Sequence, residues 1–531
     1  MKHLVPVLLV AVTSVFASCS GGADQVPPPR ADRTLKNVVI VLVDALRMDH
    51  LGYNGYERDT SPFIDTLANE GVVFDNARTQ SSYTAEAVAA LFSGIGPGPN
   101  PDGTGWYPEP HPNRPAMPAR FSKAGYETAC FTNTPALTLP GFLDDFHEAE
   151  CLVKDFSGPP HTREMTDRGL DFVRRNRGAP HLLYLHYVDP HTPYSPPEAY
   201  VARLAGEERP ASDEPLNLSQ DVQGHYEALQ DRGFGPGDPQ FDDIVLRYDA
   251  EIAFIDDEVS RLMAGLREIG TLDDTLVVFL ADHGEEFLEH GYFEHAWTLY
   301  DEVLRVPLIF WAPAVLTPER RDEVVSLVDV LPTLHTLTGV AAEPADFTGA
   351  PLFAKEEGEW AAAAPDRPVF SHLLIETRQL VHSVVHDGMK YLAAPRHLEP
   401  VWCDRFYLVQ RLLRNTMRDG AWTPYDYWSP PEHEALYDLV NDPDETKNLV
   451  DARPEILEKM RKLLAEERAR SQRQPDAEYA AEDPLTEAFI RQLIARKARQ
   501  KDAPGEPGDA EELPEEATDV LDALGYLGPD D

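Results

Sequence analysis

The sequence predicts a three-layer α/β/α domain built on a mostly parallel sheet, followed by a smaller C-terminal antiparallel α+β subdomain. Residues 37–43 (NVVIVLV) and 275–281 (TLVVFLA) are continuous apolar, β-branched runs, typical of strands buried on both faces. Helical segments alternate with such runs along the chain, which favours a parallel sheet covered by helices. After about residue 365 the strands become shorter and alternate in polarity, which indicates the second subdomain.

The same patterns place the elements in chain order. Strands are predicted at residues 37–43, 126–132, 182–188, 275–281 and 306–311, and hairpin-like strands at 369–375, 380–386 and 389–394. Helices are predicted at 61–70, 84–92, 244–266, 328–337, 454–471 and about 484–501. The first helix has Ser61 as its cap and Pro62 in its first turn. A Pro/Gly-rich loop spans 94–118, a polar insertion suited to a lid or pocket wall spans 198–240, and 502–517 is an acidic linker.

The N-terminus predicts export. A charged start and a short apolar segment up to Phe16 read as a secretory signal. Residues 16–19 (FASC) resemble the lipobox of bacterial lipoproteins, which implies a lipid on Cys19; a plain signal peptide cleaved nearby is the alternative. We therefore divide the chain into a lipoprotein signal peptide (1–19), a flexible tether (20–34), an α/β domain (35–365), an α+β subdomain (366–480) and a helical and acidic tail (481–531).

The net charge and the cysteine content limit the partners and the disulfides that the chain can have. The 531 residues include 91 Asp and Glu against 47 Lys and Arg, a net charge of −44. This charge repels nucleic acid and anionic lipid, so we expect no nucleic-acid partner and contact with a membrane only through the lipid anchor. Adaptation to a salty habitat or simple solubility accounts for the acidity better than a basic partner does. Cys130 and Cys151 are close enough in sequence for a disulfide, and Cys403 is left over.

Two of the buried strands end in acid. Asp44 follows the first, and Asp282 with His283 follows the run at 275–281. Ligands of open α/β sheets gather at the carboxyl ends of strands, and buried carboxylates need a partner charge. The mixed oxygen and nitrogen set suits Zn, Mn or Mg, and Ca less well. Taken alone, Asp44 would be read as a helix cap.

Thr84 opens the predicted helix at 84–92. The N-terminal end of a helix attracts an anionic ester, because of its positive dipole end and its free amides. A hydroxyl beside a divalent cation can lose its proton and become a nucleophile. Taken alone, Thr84 would be read as a cap. Two prolines fix the loop around His191, which suits a side chain directed into a site. His295 lies twelve residues after His283, and His186 is predicted to be structural.

Seven segments together resemble the sulfatase family of the alkaline-phosphatase-like superfamily. They occur in the family's order at residues 37–55, 81–94, 189–194 (DPHTPY), 280–291 (LADHGEEFLEHG), 298–313, 326–340 and 434–450. The resemblance implies an alkaline-phosphatase-like fold and a hydrolase of sulfuric or phosphoric esters. It makes Asp44, Thr84, Asp282 and His283 metal ligands and Thr84 the nucleophile. His191 and His295 would bind the substrate and assist the leaving group.

The sequence also departs from the family pattern. Sulfatases carry Cys or Ser in a Cys-x-Pro-Ser-Arg motif that is oxidised to formylglycine, whereas this chain has Thr84 and lacks the Pro and Arg. Ala45 follows Asp44 where a second Asp is frequent, and His295 stands where many members have Lys. A Thr nucleophile with Asp, Asp and His ligands is similar to the sites of phosphodiesterases and of phosphoethanolamine or glycerophosphate transferases. We therefore favour a phosphate ester as the substrate.

Three alternatives follow from the same residues. Asp189, His191 and His295 resemble the ligands of a second zinc site. We prefer the interpretation with one metal ion to this interpretation with two. A transferase would use an alcohol in place of water, although such enzymes usually carry membrane helices. A non-catalytic envelope lipoprotein would have kept the fold as a binding module, and retention of the four predicted ligands argues against it.

Overall fold

The computed structural model describes most of the two predicted domains. The described residues are 35–96, 115–138, 141–152, 161–206, 234–342, 347–356, 358–374, 380–393 and 434–471. The predicted signal peptide, tether, 484–501 helix and acidic linker, together with Cys19 and Cys403, lie outside these ranges. Within them, no helix combines the length and apolar character needed to cross a bilayer.

Strands and helices follow one another along the chain as predicted. The strands are β1 (Asn37–Val43), β2 (Val72–Arg78), β3 (Glu127–Thr132), β4 (Glu148–Cys151), β5 (His181–Tyr187), β6 (Thr275–Ala281), β7 (Glu286–Phe287), β8 (Phe293–Glu294), β9 (Leu308–Trp311), β10 (Glu319–Ser326), β11 (Phe353–Glu356), β12 (Glu359–Ala362), β13 (Val369–Leu374), β14 (Leu380–His386), β15 (Met389–Ala393) and β16 (Glu434–Asp438). The helices are α1 (Pro62–Glu70), α2 (Thr84–Ser93), α3 (Met117–Lys123), α4 (Thr162–Asn176), α5 (Glu198–Ala205), α6 (Pro239–Ile269), α7 (Asp301–Leu304), α8 (Val330–Thr338) and α9 (Pro454–Ser471).

One large sheet forms the centre of the molecule. Its eight strands lie in the order β10-β2-β9-β6-β1-β5-β3-β4, and every neighbouring pair is parallel except the two that involve β9. All residues of β1, β5 and β6 are buried, as expected for central strands covered on both faces. The predicted α/β fold is therefore confirmed, and the carboxyl ends of β1, β5 and β6 meet at one edge.

Some elements carry no clear sequence signal. Strands β2, β4 and β10 were not predicted, because each contains polar residues instead of a continuous apolar run. β10 and β4 lie at the two edges of the sheet, where charged side chains protect against pairing with another chain. Ser61 occupies the cap position of α1 and Pro62 lies in its first turn, as predicted, but the Ser61 side chain makes no capping bond. The carboxylate of Asp256, on α6, accepts the first amides of α1, whereas the Ser61 hydroxyl donates to Asp65.

The C-terminal subdomain is an antiparallel sheet in the order β13-β14-β15-β16 with α9 packed against it. It contacts the large domain directly. The Ser371 hydroxyl donates to the carbonyl of Thr79 at 2.6 Å, and the amide of His372 donates to the carbonyl of Gln80 at 2.7 Å. The boundaries at 365/366 and 480/481 remain predictions.

The cysteines are not paired as their spacing suggested. Cys130 and Cys151 are both free thiols. They lie on adjacent parallel strands, but the register places Cys151 opposite Thr132, two residues beyond Cys130. Cys130 is buried in the core, and burial raises the pKa of its thiol, so it behaves as a small apolar residue.

Candidate metal and catalytic site

The two strand-end carboxylates lie side by side. β1 and β6 are adjacent and parallel up to their last residues, so Asp44 and Asp282, which follow, are neighbours. Both side chains are fully buried. Asp282 Oδ1 accepts the amides of Ala45 at 3.3 Å and His283 at 3.0 Å. Asp44 Oδ1 and Asp282 Oδ2 have no hydrogen-bond partner, which leaves two buried acceptor atoms open to a cation.

His283 adds a nitrogen to this pair. Its Nδ1 donates to the carbonyl of Gly284 at 2.9 Å, so in the neutral ring Nε2 keeps its lone pair. That Nε2 lies 3.1 Å from Thr84 Oγ1, 3.5 Å from Asp44 Oδ1 and 3.6 Å from Asp282 Oδ2. The structure thus brings together the four residues predicted as metal ligands.

Gly284 lets the chain pack closely against the backbone of α7 directly after His283. A Cβ at this position would lie 2.0 Å from the carbonyl oxygen of Glu302. The Gly284 amide donates to the carbonyl of Val303 at 2.9 Å. The segment that carries Asp282 and His283 is therefore packed against the backbone of α7, with no room for a side chain at Gly284.

Thr84 is the first residue of α2, and it does not act as the cap. Tyr83 occupies the cap position, with extended backbone and no side-chain capping bond. The Thr84 hydroxyl instead donates to His283 Nε2, and the residue is 4% exposed. The helix start adds the positive end of the α2 dipole to the same place. This geometry disfavours the reading of Thr84 as a cap.

The charges at the site fit a divalent cation. Burial opposes ionisation of Asp44, but its hydrogen bond from His186 and the nearby histidines lower its pKa below the usual value. Burial and the negative charge of Asp44 raise the pKa of Asp282 well above the usual value. Two adjacent buried carboxylates therefore resist joint ionisation unless a cation balances them. Ligands bonded to one ion at about 2–2.6 Å lie about 3–4 Å apart, as the distances from His283 Nε2 do.

His186 lies at this site, although we had predicted it to be structural. Its Nε2 donates to Asp44 Oδ2 at 3.2 Å, and its Nδ1 accepts the hydroxyl of Tyr184 at 3.1 Å. Among the described residues, Asp44, His186 and Asp282 offer ligand atoms that all lie within 4.8 Å of one another. His186 lies inside an apolar strand, where a single polar residue gives little sign of its role.

The second metal set suggested by the sequence is not assembled. Asp189, His191 and His295 do not form a candidate cation group in the described part of the chain. The Asp189 carboxylate instead accepts the hydroxyl of Thr162, the first residue of α4. His191 and His295 do meet, with ring centroids 4.8 Å apart.

Comparison with known proteins decides the family. The sulfatase family model matches residues 36–340, more than half of the chain. The chain belongs to the sulfatase family. An arylsulfatase of Clostridium perfringens is 24% identical, over 81% of this chain and 94% of its own length. It follows that the protein is an ester hydrolase of this family.

Solved structures show the same fold. A structure in complex with its substrate D-glucosamine-2-N,6-O-disulfate has a TM-score of 0.63 and 17% identity, covering 84% of this chain and all of its own. A phosphonate monoester hydrolase of Agrobacterium radiobacter has a TM-score of 0.54 and 18% identity, covering 87% and 96%. The sulfatase fold thus spans both subdomains of this chain.

Three imidazoles line the sulfatase site in a row. The His295 ring lies between those of His283, 4.3 Å away, and His191, 4.8 Å away. Burial lowers the pKa of His191, and burial with the charge of His295 lowers the pKa of His283 to about 3. Burial also opposes protonation of His295, but the carboxylate of Glu285 outweighs it and raises the pKa. His295 is therefore the ring of the three whose pKa is shifted towards the protonated form.

Ala45 takes a backbone conformation that is rare for alanine. Its φ is +55°, in the left-handed region. The hydroxyl of buried Tyr248 donates to the Ala45 carbonyl at 2.7 Å and accepts the Arg47 amide at 2.8 Å, which holds the turn. The sequence indicates the missing second Asp of the sulfatase pattern, but the turn and the role of Tyr248 emerge only from the structure.

Proposed function

We propose that this sulfatase-family protein is a metal-dependent hydrolase of a phosphate ester in which Thr84 is the nucleophile. The observation that carries the proposal is the 3.1 Å contact between Thr84 Oγ1 and His283 Nε2 at the start of α2, beside two buried carboxylates. A nucleophilic hydroxyl needs a nearby group that lowers its pKa and a setting that attracts the anionic ester. His283 and the start of α2 would supply these two features at Thr84.

Asp44, Thr84, Asp282 and His283 would hold one divalent cation, with Zn, Mn, Mg or Ca as candidates. Once bound, the cation supplies positive charge that favours ionisation of the hydroxyl and balances the oxygens of the ester group. The unpaired Asp44 Oδ1 and Asp282 Oδ2 support this assignment. The amides at the start of α2 add to the stabilisation of the same oxygens.

The residues of the chain then suggest a two-step reaction. The Thr84 hydroxyl gives up its proton to solvent, its oxygen attacks phosphorus in line, and the bond from phosphorus to the leaving oxygen breaks. The leaving oxygen keeps the electron pair of the broken bond and takes a proton from His295. His191, whose ring lies beside that of His295, would contact the ester. In the second step water attacks phosphorus and releases phosphate. One proton of that water returns to His295, the bond from phosphorus to the Thr84 oxygen breaks, and that oxygen takes a proton back from solvent to regenerate the hydroxyl.

Threonine is also the reason for preferring phosphate. Its Cβ carries one hydroxyl and a methyl group, so it cannot become the aldehyde of formylglycine enzymes. A covalent ester on Thr84 must therefore be released by attack of water at the central atom, which is ordinary phosphoryl-transfer chemistry. A sulfate ester, such as one on a sugar, is the second candidate because named relatives are sulfatases. A neighbour of the same fold is named as acting on a phosphonate ester.

Replacement of Thr84 tests the nucleophile. Thr84→Ala should lower turnover by about 10³-fold or more, because the covalent step is lost. Thr84→Ser keeps a hydroxyl in place and should retain most of the activity. Hydrolysis of aryl phosphate, aryl phosphodiester and aryl sulfate should be measured for each variant, with circular dichroism as the folding control.

The covalent intermediate gives a second readout. Rapid acid quenching and peptide mass spectrometry should find a phosphate ester on Thr84. Wild-type turnover in Thr84→Ala would overturn the nucleophile. A sulfate adduct, or preference for aryl sulfate, would replace phosphate by the second candidate.

We further propose that the enzyme is exported and held in the cell envelope by a lipid on Cys19, with no nucleic-acid partner. The signal-like start and the FASC segment support this localisation, and the acidic net charge supports the exclusion of nucleic acid. A tether of residues 20–34 would let the enzyme reach anionic esters near the membrane without inserting into it.

A further inference from the structure

Glu285 connects the two loops that carry the predicted leaving-group histidines. Its side chain is fully buried two residues after His283. One carboxylate oxygen accepts His295 Nδ1 at 2.8 Å, and the other accepts the hydroxyl of Tyr194 at 2.9 Å. Tyr194 lies three residues after His191, in the same proline-bounded loop. A single carboxylate therefore holds a ring on one loop and a phenol on the other.

The local backbone brings Glu285 and His295 together. β7 and β8 form a short antiparallel hairpin in which Glu286 pairs with Glu294. The residues just outside this pair, Glu285 and His295, consequently face each other at its open end. His295 lies between two residues in the left-handed region, Glu294 at φ +69° and Ala296 at +66°. Such conformations cost about 1–3 kcal/mol each and persist only where surrounding contacts impose them.

We propose that Glu285 is the positioning residue for departure of the leaving group. Its bond to Nδ1 fixes the His295 ring and leaves Nε2 as the nitrogen that reaches the ester oxygen. Its bond to the Tyr194 hydroxyl ties the His191 loop to the same point. This role rests on the proposed function, because it requires His295 to donate the proton as the bond from phosphorus to oxygen breaks.

A series of leaving groups tests the role. Esters of acidic phenols need little protonation, whereas esters of weakly acidic phenols depend on it. Glu285→Gln keeps a side chain of the same shape and removes the charge. We expect kcat/KM for a 4-nitrophenyl ester to fall by about 3-fold or less, and for a phenyl ester by about 10²-fold, the lower range of general-acid contributions. The fall should appear in kcat more than in KM.

Two further variants separate positioning from general damage. Tyr194→Phe keeps the carboxylate and should steepen the leaving-group dependence in the same direction by a smaller amount. Glu286→Gln is the matched control: this neighbouring buried glutamate accepts the Thr298 hydroxyl at 2.8 Å and should leave the slope unchanged. Metal content and circular dichroism should match the wild type in Tyr194→Phe, which remains informative if Glu285→Gln does not fold.

The outcomes distinguish the two proposals. The series uses the aryl ester class, phosphate or sulfate, that the wild type hydrolyses. An unchanged slope in both Glu285→Gln and Tyr194→Phe would overturn the positioning role, provided that His295→Asn steepens it. If His295→Asn also leaves the slope unchanged, the proton donor in the proposed function is wrong, and the role of Glu285 fails with it.

Discussion

Replacement of Asp282 by Asn should stabilise the metal-free protein and abolish its response to metal. The amide has the shape of the carboxylate and keeps an oxygen for the Ala45 and His283 amides that Asp282 Oδ1 accepts. What disappears is one of two adjacent buried negative charges. In the wild type these charges oppose each other until a cation arrives.

The size of the effect follows from the distance. The candidate ligand atoms of Asp44 and Asp282 lie within 4.8 Å. At an effective dielectric constant of about 20, two unit charges at that separation repel by about 3–4 kcal/mol. Partial protonation of the pair reduces the cost, so about 3 kcal/mol is the upper end of the gain in the metal-free variant. A cation at 100 to 1,000 times its Kd would stabilise the wild type by about 2.7–4.1 kcal/mol.

Thermal unfolding with and without chelator measures both effects. After treatment with EDTA, Asp282→Asn should unfold at a higher temperature than the wild type, and Mn²⁺ or Zn²⁺ should raise the midpoint of the wild type only. Asp256→Asn is the control, because this buried carboxylate caps α1 and should leave the metal response intact. A metal-induced shift of full size in Asp282→Asn, or a chelated wild type as stable as the metal-loaded one, would refute the reasoning.

Two further changes extend the test to other regions. Burial raises the pKa of Asp189 from 3.8 to about 6, although the hydrogen bond from the Thr162 hydroxyl lowers it. The ionised carboxylate therefore destabilises the folded protein above pH 6. This cost in stability fades as the pH falls towards 4. Asp189→Asn should thus be more stable in urea by about 3 kcal/mol at pH 7.5 and converge with the wild type near pH 4, whereas parallel pH profiles would contradict this. Cys19→Ala should move the protein from the detergent phase to the aqueous phase in Triton X-114 partitioning and prevent palmitate labelling; unchanged partitioning would exclude the anchor.

The sequence predicts central strands well because burial on both faces leaves an uninterrupted apolar run. β1 and β6 match their predicted bounds, and β5 differs by one residue at each end. The same rule fails for β2 and β10, whose polar residues reach the surface or the rim of the sheet. Helix α9 also matches its predicted bounds, because its apolar residues recur at helical spacing.

The residues of the site could be predicted where their position at the end of a strand determines where their side chains lie. Asp44 and Asp282 directly follow adjacent parallel strands, so their meeting follows from the strand order. Asp189 lies two residues from His191, yet its carboxylate bonds to α4, because proximity along a loop does not determine side-chain direction. Glu285 could be recognised only from a hairpin whose register is set in three dimensions.

The hydrogen bonds from Ser371 and His372 to the backbone of Thr79 and Gln80 bear on how the protein could be shortened. The family match ends at residue 340. The segment leading to Thr84 is hydrogen-bonded to Ser371 and His372, which lie after that residue. A fragment cut there would keep all proposed cation ligands while losing the strand that supports the loop before α2. We therefore expect the smallest working fragment to extend past the residues that the family model matches and into the antiparallel sheet.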